Sequence, residues 1–459
     1  MEEVTLEQVL EARETRVDRQ NALLGKYHMP VISFGMNIPG PVKDTPLIRR
    51  AFAAGRGALC AALDAAHIEI LEAVETLAIT GCELQCAVKE DALTVKRVCA
   101  GIEDATPLGR LFDMDVLKPN GVKLDREEVD GGARDCIVCG AKGRGCASRR
   151  VHSVAELQAA AKRIMEAYFA EADRNTVSKL ATKALLDEVY TTPKPGLVDR
   201  KNNGSHSDMT VATFEASAAA LTPYWARCVQ VGQESAKEAP EATFALLREA
   251  GMAAEEDMLA ATNGVNTHKG AVFTLGVICG AIGRLWRAEE PCRNTDAILR
   301  ECAAMTGAAV AADFSALSAQ PETATTAGQR LYLTYGLRGI RGEVADGLPG
   351  VGKIALPMLR RALDAGYDRN DAGVYTLLAL IARGTDTNMM KRGGAETAAL
   401  AAKRAAELLD ADPFPLIRDV CVLDEDFIAK GLSPGGCADL LAAAYFLHDW
   451  TLDAPCPPS

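Results

Sequence analysis

The chain contains 459 residues, of which 48% are hydrophobic and 24% are charged, and its formal net charge at pH 7 is -12. These are globular values, and the length predicts roughly two or three domains. The negative charge argues against general binding to nucleic acid or to an anionic membrane, so any phosphate binding must be local. The 14 cysteines are too few for a disulfide scaffold, and residues 270–283, an apolar run with glycines, are too short for a membrane span. With no signal-peptide pattern at the N-terminus, we expect a reduced, cytoplasmic protein.

The first part of the chain mixes predicted helices and strands. Residues 6–24 are predicted as an amphipathic helix and residues 31–37 as a buried strand. A glycine- and proline-rich loop with Lys43 follows, and it leads into a helix with Arg49 and Arg50. Basic groups at a strand-to-helix turn suit a phosphate, because free amides at the helix start add to their charge. The alternative is that these basic residues lie on a solvated helix face and bind no phosphate.

Two aspartates follow on a segment that alternates with strand period. Residues 110–117 are predicted as a strand, and Asn120 and Gly121 are predicted to turn it into a hairpin. Alternation places Asp113 and Asp115 on one face, about 7 Å apart along the strand. Two such carboxylates suit Mg²⁺, and a solvated sheet edge is the alternative. Together with the basic loop they suggest phosphoryl or nucleotidyl transfer, in which metal ions clamp the attacking and leaving oxygens.

A cluster of thiols and one histidine comes next. Cys136, Cys139, Cys146 and His152 are separated by two, six and five residues. Three cysteines and a histidine are an accepted ligand set for structural zinc, and the first pair has the spacing of a zinc knuckle. The later spacings depart from the commoner patterns. Free structural thiols beside an arginine-rich phosphate-binding loop are the alternative.

The composition changes in the middle of the chain. Ser153 and Glu156 form a predicted capping box that starts a helix, and residues 171–175 are predicted to be a hinge. Beyond the hinge the chain is rich in Ala, Leu, Glu and Arg at helical spacing. We therefore predict a multidomain protein, with an α+β domain over residues 1–172 and an all-α domain over residues 177–459.

Five loops of the second domain combine glycines with charged and amide side chains. Glycine permits close approach of the backbone to a ligand, carboxylates suit Mg²⁺, and cations suit a polyphosphate. Taken singly, each residue is more often structural, and the two histidines are equally compatible with structural hydrogen bonds. The recurrence of five such loops in one helical domain predicts a shared nucleotide site. Its candidate residues are Asp199, Glu343, Asp346, Asp386, Asp439, Lys194, Arg200, Lys269, Arg341, Arg392, His206, His268, Asn266 and Asn388.

These loops resemble the motifs of the triphosphoribosyl-dephospho-CoA synthases. They read, in order, TPKPGLVDR with NNGSH, GVNTHKG, GIRGE, DTN and LSPGG. The first domain resembles the citrate lyase holo-acyl-carrier-protein synthases through NIPGPVK, PLIRR, PLGRLFDMDV and the cysteine loop. This second likeness implies a nucleotidyltransferase-like first domain. The whole chain resembles a natural fusion of the two enzymes that make and attach the prosthetic group of citrate lyase.

The resemblance implies two reactions. In the second domain, the ribose 2′-hydroxyl of 3′-dephospho-CoA would attack C1 of the ATP ribose and expel adenine. The product would be 2′-(5″-triphosphoribosyl)-3′-dephospho-CoA. The first domain would then transfer phosphoribosyl-dephospho-CoA to a serine of the apo acyl carrier protein of citrate lyase, with release of pyrophosphate.

The resemblance also implies residue roles. Asp113 and Asp115 are expected to be catalytic and to hold Mg²⁺. The expected triphosphate contacts in the first domain are Lys43, Arg49 and Arg50. In the second domain the expected catalytic carboxylates are Asp199, Glu343 and Asp386, and the expected substrate contacts are Lys194, Arg200, His206, Asn266, His268, Lys269, Arg341, Asn388 and Arg392. The alternatives are an ADP-ribosyl-type glycohydrolase, a non-catalytic assembly module of a lyase complex, and the same chemistry serving malonate decarboxylase.

Overall fold

The computed structural model describes residues 2–129, 131–132, 134–141, 146 and 149–452. The chain divides into two compact units. Unit 1 comprises Met1–Ala172 and Ala288–Glu290, and unit 2 comprises Asp173–Arg287 and Pro291–Ser459.

Unit 1 has an α+β fold built on a four-stranded antiparallel sheet with the strand order β2-β3-β1-β4. Two 3-10 turns flank the last strand, at Pro107–Leu111 and Arg126–Val129. The helices and strands are α1 (Leu6–Tyr27), β1 (Val31–Met36), α2 (Pro46–Ala65), β2 (Glu69–Ala78), β3 (Gly81–Lys89), α3 (Ala92–Ala105) and β4 (Phe112–Leu117).

The predictions for this region are confirmed in type and differ at the ends. Residues 6–24 lie in α1, and the strand predicted over residues 31–37 is β1, which ends at Met36. Residues 110–117 contain β4, whose start is delayed by the preceding 3-10 turn. The predicted hairpin turn is also present, since the Lys118 amide donates to the Val122 carbonyl at 2.8 Å.

One face of the sheet packs against α2. Phe34 of β1 stacks on Phe52 with 4.9 Å between the ring centroids, and it meets Phe112 edge-on at 5.4 Å. Gly55 makes room for these rings, because a Cβ atom there would lie 2.5 Å from Phe34. Contacts this close are typical of a tightly packed protein interior.

The other face of the sheet is polar. Because side chains alternate along a strand, Ser33 and Gly35 point away from α2, and the register pairs them with Asp115 and Asp113. Helix α1 supplies Gln20, whose amide donates to Ser33 Oγ at 2.8 Å. The two predicted catalytic carboxylates therefore lie on the polar face of the sheet, as the alternation predicts.

Helix α4 (Val154–Tyr190) contains residues of both units. It starts at the predicted capping box, in which the Ser153 amide donates to the Glu156 carboxylate at 2.8 Å and the Glu156 amide donates to Ser153 Oγ at 3.2 Å. The boundary between the two units falls between residues 172 and 173, within the predicted hinge. The segment 171–175 nevertheless continues the helix and forms no separate linker. It contains neither proline nor glycine, so nothing in it breaks the helix.

The described part of unit 2 is helical, which confirms the all-α prediction. A π-helical turn at Val351–Ala355 and a 3-10 turn at Pro321–Thr323 interrupt the α-helices. After α4 these are α5 (Val211–Glu234), α6 (Pro240–Ala261), α7 (Lys269–Arg284), α8 (Thr295–Ala319), α9 (Ala327–Tyr335), α10 (Gly339–Ala345), α11 (Leu356–Asp364), α12 (Arg369–Ala382), α13 (Thr387–Ala411), α14 (Ile417–Ala429) and α15 (Gly435–Leu452).

Two central helices, α7 and α15, form the core of unit 2. Helix α15 is apolar around most of its circumference, and its Tyr445 and Trp450 are fully buried. Helix α7 approaches α5 so closely that a Cβ atom at Gly232 would lie 2.2 Å from the Gly280 carbonyl oxygen. These contacts fix the N-terminal ends of α7 and α15, which both border the site described below.

Among the described helices, α8 is long and apolar enough to cross a membrane by length and composition alone. Buried core helices of soluble proteins can pass the same test. Its polar side makes ion pairs within unit 2, between Glu301 and Arg284 at 2.5 Å and between Asp313 and Arg248 at 2.6 Å. The same helix buries Ile298, Cys302 and Met305.

Candidate active sites

A large cavity in unit 2 gathers the loops that precede α5, α7, α10, α13 and α15. Its volume is about 1150 Å³, slightly above the roughly 300–1,000 Å³ of typical small-molecule sites. Three long helices, α7, α13 and α15, begin at its wall. Twelve of the fourteen predicted site residues line the cavity: Lys194, His206, Asn266, His268, Lys269, Arg341, Glu343, Asp346, Asp386, Asn388, Arg392 and Asp439.

Two predicted residues of the first loop do not line the cavity. The Asp199 carboxylate is buried and accepts the backbone amides of Lys194 at 2.9 Å, Lys201 at 2.7 Å and Asn202 at 2.9 Å. Arg200 is exposed, and its guanidinium lies 4.4 Å from the centre of the Tyr190 ring. Asp199 thus stabilises the loop. The positions of Asp199 and Arg200 do not support the predicted roles in catalysis and substrate binding, because neither residue lines the cavity.

The Lys194 side chain forms a buried ion pair with Glu188, the last acidic residue before the loop. Lys194 is 1% exposed and Glu188 4% exposed, and both line the cavity. Glu188 was not predicted, because its position near the end of α4 carries no loop motif. A charge pair this deeply buried is costly to break, since the remaining partner keeps an uncompensated charge.

We expect Lys194→Met to lower the free energy of unfolding of unit 2 by about 3–5 kcal/mol, because Glu188 would stay buried without its partner. Adding Glu188→Gln should recover much of this loss. All three tryptophans, Trp225, Trp286 and Trp450, belong to unit 2, so tryptophan fluorescence during urea unfolding of the full chain reports on this unit.

The matched control for this prediction is Lys183→Met. Lys183 pairs with Asp187 at 2.7 Å and with Asp449 at 2.9 Å, but its side chain is half exposed. Removing it should cost no more than about 1 kcal/mol. Equal losses in the Lys194 and Lys183 variants would contradict the importance of the buried pair.

Asp386 joins two of the helices that begin at the cavity. One carboxylate oxygen accepts the amides of Asn388 at 2.8 Å and Met389 at 2.9 Å, which caps α13, and the other accepts the Cys437 amide of α15 at 2.9 Å. Burial raises the pKa of Asp386 above its usual value, although these three amides oppose the rise. Asp386 therefore lines the cavity as a buried carboxyl with a fixed position.

Asp439 is the second carboxyl at this wall. It accepts a hydrogen bond from the Ala271 amide at the start of α7. Its Oδ2 lies against Gly270, where a Cβ atom would be only 1.8 Å away. Burial raises the pKa of Asp439 well above its usual value, and the neighbouring Glu188 and Asp386 raise it further. Asp439 is thus the cavity carboxyl most strongly biased toward the protonated form.

Glu343 is paired with an arginine that was not predicted. Its carboxylate accepts a hydrogen bond from Arg383 at 2.8 Å and another from the Gly350 amide. Glu343 and Arg383 both line the cavity. Because its charge is already matched, Glu343 is arranged to orient Arg383.

His268 faces the cavity with one unpaired nitrogen. Thr267 donates to Ser217 Oγ at 2.8 Å, and the Ser217 hydroxyl lies 2.7 Å from His268 Nδ1. Ser217 Oγ accepts from Thr267 and can donate its own proton to Nδ1, an arrangement that places the ring proton on Nε2. Burial lowers the pKa of His268 to about 3, so the ring is neutral. Its buried Nε2–H has no hydrogen-bond partner among the described residues and is available to a ligand.

His206 connects the first and the last loops. Arg392 donates to its Nδ1 at 3.2 Å, so its Nε2–H donates to Ser433 Oγ at 2.9 Å. Burial and the Arg392 charge lower the pKa of His206 below its ordinary value. A neutral His206 is suited to positioning Arg392 at the wall of the cavity.

Several cations line the cavity and make exchangeable ion pairs. Lys269 lies 2.5 Å from Glu255, and Arg341 lies 3.6 Å from Asp313. Exposed pairs of this kind contribute little to stability, so a phosphate can replace the carboxylate. The cavity lining contains two further cations that were not predicted as site residues, Arg338 and Lys391.

In unit 1, Asp113 and Asp115 lie side by side on the polar face of the sheet. Asp115 pairs with Lys123 at 2.6 Å. The surrounding protein raises the pKa of Asp113, and the Asp115 charge raises it further. Two neighbouring carboxylates with this mutual repulsion fit a divalent cation, which would relieve it.

The predicted basic contacts of unit 1 lie in different places. Lys43 packs against Gly81, at the end of the sheet where β3 and β4 begin and where Asp113 lies. Arg49 makes two 2.6 Å contacts with Asp44, and the Arg50 guanidinium stacks 4.0 Å from the centre of the Phe169 ring. Both arginines belong to α2, which covers the opposite face of the sheet. Of these three residues, only Lys43 therefore lies at the end of the sheet that carries Asp113.

Two buried polar residues that were not predicted lie on the polar face of the sheet. Glu83 pairs with Arg16 of α1 at 2.6 Å, and Gln85 is fully buried in the register position opposite Ser33. Neither side-chain nitrogen nor oxygen of Gln85 has a hydrogen-bond partner among the described residues. Their alternation with Cys82, Leu84 and Cys86 in the sequence is the pattern that could have placed them together on one face of a strand.

The predicted thiol cluster is assembled in unit 1. One ligand atom from each of Cys136, Cys139, Cys146 and His152 lies within 4.8 Å of the others.

Two protein-family models match the chain. The CitX model, described as apo-citrate lyase phosphoribosyl-dephospho-CoA transferase, matches residues 4–168. The CitG model, described as ATP:dephospho-CoA triphosphoribosyl transferase, matches residues 174–454.

Curated relatives match over nearly the whole chain. "Protein CitXG" of Leuconostoc mesenteroides subsp. cremoris is 33% identical, with 97% of each chain covered. "Protein CitXG" of Haemophilus influenzae is 32% identical, with 96% of each chain covered. A 2-(5''-triphosphoribosyl)-3'-dephosphocoenzyme-A synthase of Pectobacterium atrosepticum is 42% identical over 60% of this chain and 89% of its own length. The chain therefore belongs to the CitXG family of bifunctional transferases, which join a CitX region to a CitG region and serve synthesis of the citrate lyase prosthetic group.

Proposed function

We propose that the cavity of unit 2 binds ATP and 3′-dephospho-CoA together and joins them with release of adenine. The observation that supports this most is the meeting of two carboxyls, the buried Asp386 and the partly buried Asp439, with a basic lining in one cavity of about 1150 Å³. Transfer of a ribosyl group needs negative charge near C1 and an acid for the leaving base. A triphosphate needs cations and free amides.

The phosphates of ATP are assigned to the basic lining. Apart from Arg383, its cations make exposed ion pairs or face the cavity directly, so they can exchange carboxylates for phosphate oxygens. The Glu343–Arg383 pair and the His206–Arg392 contact hold two of the guanidinium groups in place. The proposed phosphate contacts are Lys269, Arg338, Arg341, Arg383, Lys391 and Arg392.

The reacting sugar is assigned to the wall formed by α7, α13 and α15. Asp386 would stabilise the positive charge that develops at C1 as the bond to adenine breaks. Asp439 would give its proton to a ring nitrogen of the departing adenine. The Nε2–H of His268 would donate a hydrogen bond to a substrate oxygen, which satisfies its unpaired donor.

We expect adenine release to require both substrates. Purified protein with ATP and 3′-dephospho-CoA should yield adenine and the coupled product in equal amounts, measured by liquid chromatography. ATP alone should yield none, because the attacking 2′-hydroxyl belongs to the second substrate. Adenine release from ATP and water alone would favour the glycohydrolase, and tight nucleotide binding without turnover would favour a non-catalytic assembly module.

For unit 1 we propose a nucleotidyltransferase-like site on the polar face of the sheet. Asp113 and Asp115 would hold Mg²⁺, which supplies charge stabilisation to the transferred phosphoryl group and the leaving pyrophosphate. Lys43 lies at the same end of the sheet and would contact the triphosphate. The acceptor would be a serine of the apo acyl carrier protein of citrate lyase, and a preference for the malonate decarboxylase carrier would identify the alternative pathway.

We assign carrier transfer to residues 1–172 and the synthase reaction to residues 177–459. Both reactions consume nucleotides of the cell interior, so the proposed site of action is the cytoplasm.

A further inference from the structure

We infer that Cys136, Cys139, Cys146 and His152 bind one zinc ion, which clamps the chain beside the proposed transfer site of unit 1. The Sγ atoms of Cys139 and Cys146 are 3.6 Å apart, and His152 Nε2 is 3.3 Å from Cys139 Sγ. Tetrahedral zinc, with Zn–S near 2.3 Å and Zn–N near 2.0–2.1 Å, requires ligand separations of about 3.8 Å and about 3.5 Å. The cluster therefore already has nearly the dimensions of a zinc site.

The first half of the cluster has the backbone of a metal-binding knuckle. The amides of Val138 and Cys139 donate to Cys136 Sγ. Gly140 follows with φ at 71°, and its amide donates to the Cys136 carbonyl at 2.9 Å. Amide-to-sulfur bonds orient a thiolate ligand and stabilise its charge, as the outer contacts of metal sites commonly do. A residue with a Cβ atom would be strained in the left-handed conformation of Gly140.

The second half of the cluster is held by the start of α4. His152 immediately precedes Ser153, which caps that helix together with Glu156. The Val151 amide donates to the Cys146 carbonyl at 3.0 Å, so the chain turns back and brings Cys146 near His152. Two independently fixed backbone segments thus present their ligands to one point.

The ligand set favours zinc in a structural role. Three thiolates and an imidazole select zinc over magnesium or calcium, which prefer oxygen ligands. Four protein ligands close the coordination sphere, which distinguishes structural zinc from catalytic zinc. A disulfide between two of the cysteines would leave the third thiol and His152 without a role.

The clamp lies next to the strand that carries Asp113. Arg134 donates to the Phe112 carbonyl at 2.8 Å, and the Asp135 carbonyl accepts a hydrogen bond from Arg110. The knuckle therefore begins one residue after a segment that contacts Arg110 and Phe112, which precede Asp113 in the chain. Loss of zinc should release this segment and weaken carrier transfer, while adenine release in unit 2 should continue.

The test measures metal in the full chain purified under reducing conditions. Elemental analysis should find one zinc per chain, and less than about a tenth of that in Cys139→Ser or Cys146→Ser. Cys60→Ser, which removes an exposed free cysteine of α2, should keep its zinc. Less than a tenth of an equivalent in wild-type protein reconstituted with zinc, an intact Cys139–Cys146 disulfide, or full zinc in Cys139→Ser would overturn the inference.

Cobalt substitution covers the case in which the serine variants fail to fold. Wild-type protein loaded with Co²⁺ should show the visible absorption of tetrahedral thiolate coordination. His152→Cys should keep the metal and shift this spectrum, because a fourth thiolate replaces the imidazole. An octahedral spectrum, or identical spectra for the two proteins, would contradict binding by these four residues.

The expected functional effect rests on the proposed function of unit 1, whereas the metal content does not. Cys146→Ser should lower carrier transfer about tenfold or more and leave adenine release within about twofold. Zinc loss without any change in transfer would remove the proposed link to the active site and leave the metal site intact. Failure of carrier transfer in wild-type protein would instead reject the proposed function.

Discussion

Asp439→Asn is expected to lower adenine release by a factor of about 10² to 10⁴, the usual contribution of a general acid. The amide has nearly the same shape as the carboxyl and can still pack against Gly270, but it has no acidic proton for adenine. Substrate binding should change much less than kcat, because the interaction belongs to bond breaking rather than to the ground state. Steady-state kinetics of adenine release by the full chain measures both quantities.

The pH dependence of adenine release follows from the direction of the pKa shift at Asp439. Burial, with the charges of Glu188 and Asp386, raises its pKa well above the usual value, so the neutral acid persists to a higher pH than in an ordinary aspartic acid. The wild-type kcat/KM for adenine release should fall as the pH rises through this pKa, because the proton donor is lost. The residual activity of Asp439→Asn should lack this decline.

The matched control is Asp257→Asn, which changes an exposed aspartate of α6 outside the cavity lining. It should stay within about twofold of wild type, as is usual for surface substitutions. Wild-type rates and an unchanged pH profile in Asp439→Asn would exclude Asp439 as the acid. Unchanged release in Glu343→Gln and Asp386→Asn would likewise exclude the roles proposed for those carboxylates.

The sequence predicts which loops form the cavity better than it predicts where each side chain points. Glycines next to charged residues mark the loops, and twelve of the fourteen predicted site residues line the cavity. Asp199 and Arg200 belong to the same motif as Lys194, yet Asp199 turns inward to the loop amides and Arg200 stacks on Tyr190. Glu188 lies inside α4 and Arg383 is the C-cap of α12, and neither belongs to the motifs that mark the loops.

Local composition also misleads where long-range pairing decides the structure. Residues 69–78, rich in Glu, Leu and Ala, form β2, although these residue types favour helices. Pairing with β3 over this segment satisfies the backbone and overrides that preference. Conversely, residues 171–175 continue α4, because a change in average composition does not itself break a helix.

Asp113→Asn is expected to abolish carrier transfer nearly completely, with a loss on the order of 10²-fold or more, because metal stabilisation of a transferred phosphoryl group is worth several kcal/mol. Asp115→Asn should have a similar effect. Adenine release should continue in both variants, since Asp113 and Asp115 belong to unit 1. Triphosphoribosyl-dephospho-CoA should therefore accumulate, while the mass of the apo acyl carrier protein stays unchanged.

The control for this experiment is Asp64→Asn, at an exposed position near the end of α2. It should transfer the prosthetic group at the wild-type rate and show the same dependence on added Mg²⁺. If Asp113→Asn modified the carrier at full rate, the polar face of the sheet would not be the transfer site. If both adenine release and transfer were lost, the aspartate would instead be needed for the integrity of the chain, because the two proposed sites use different residues.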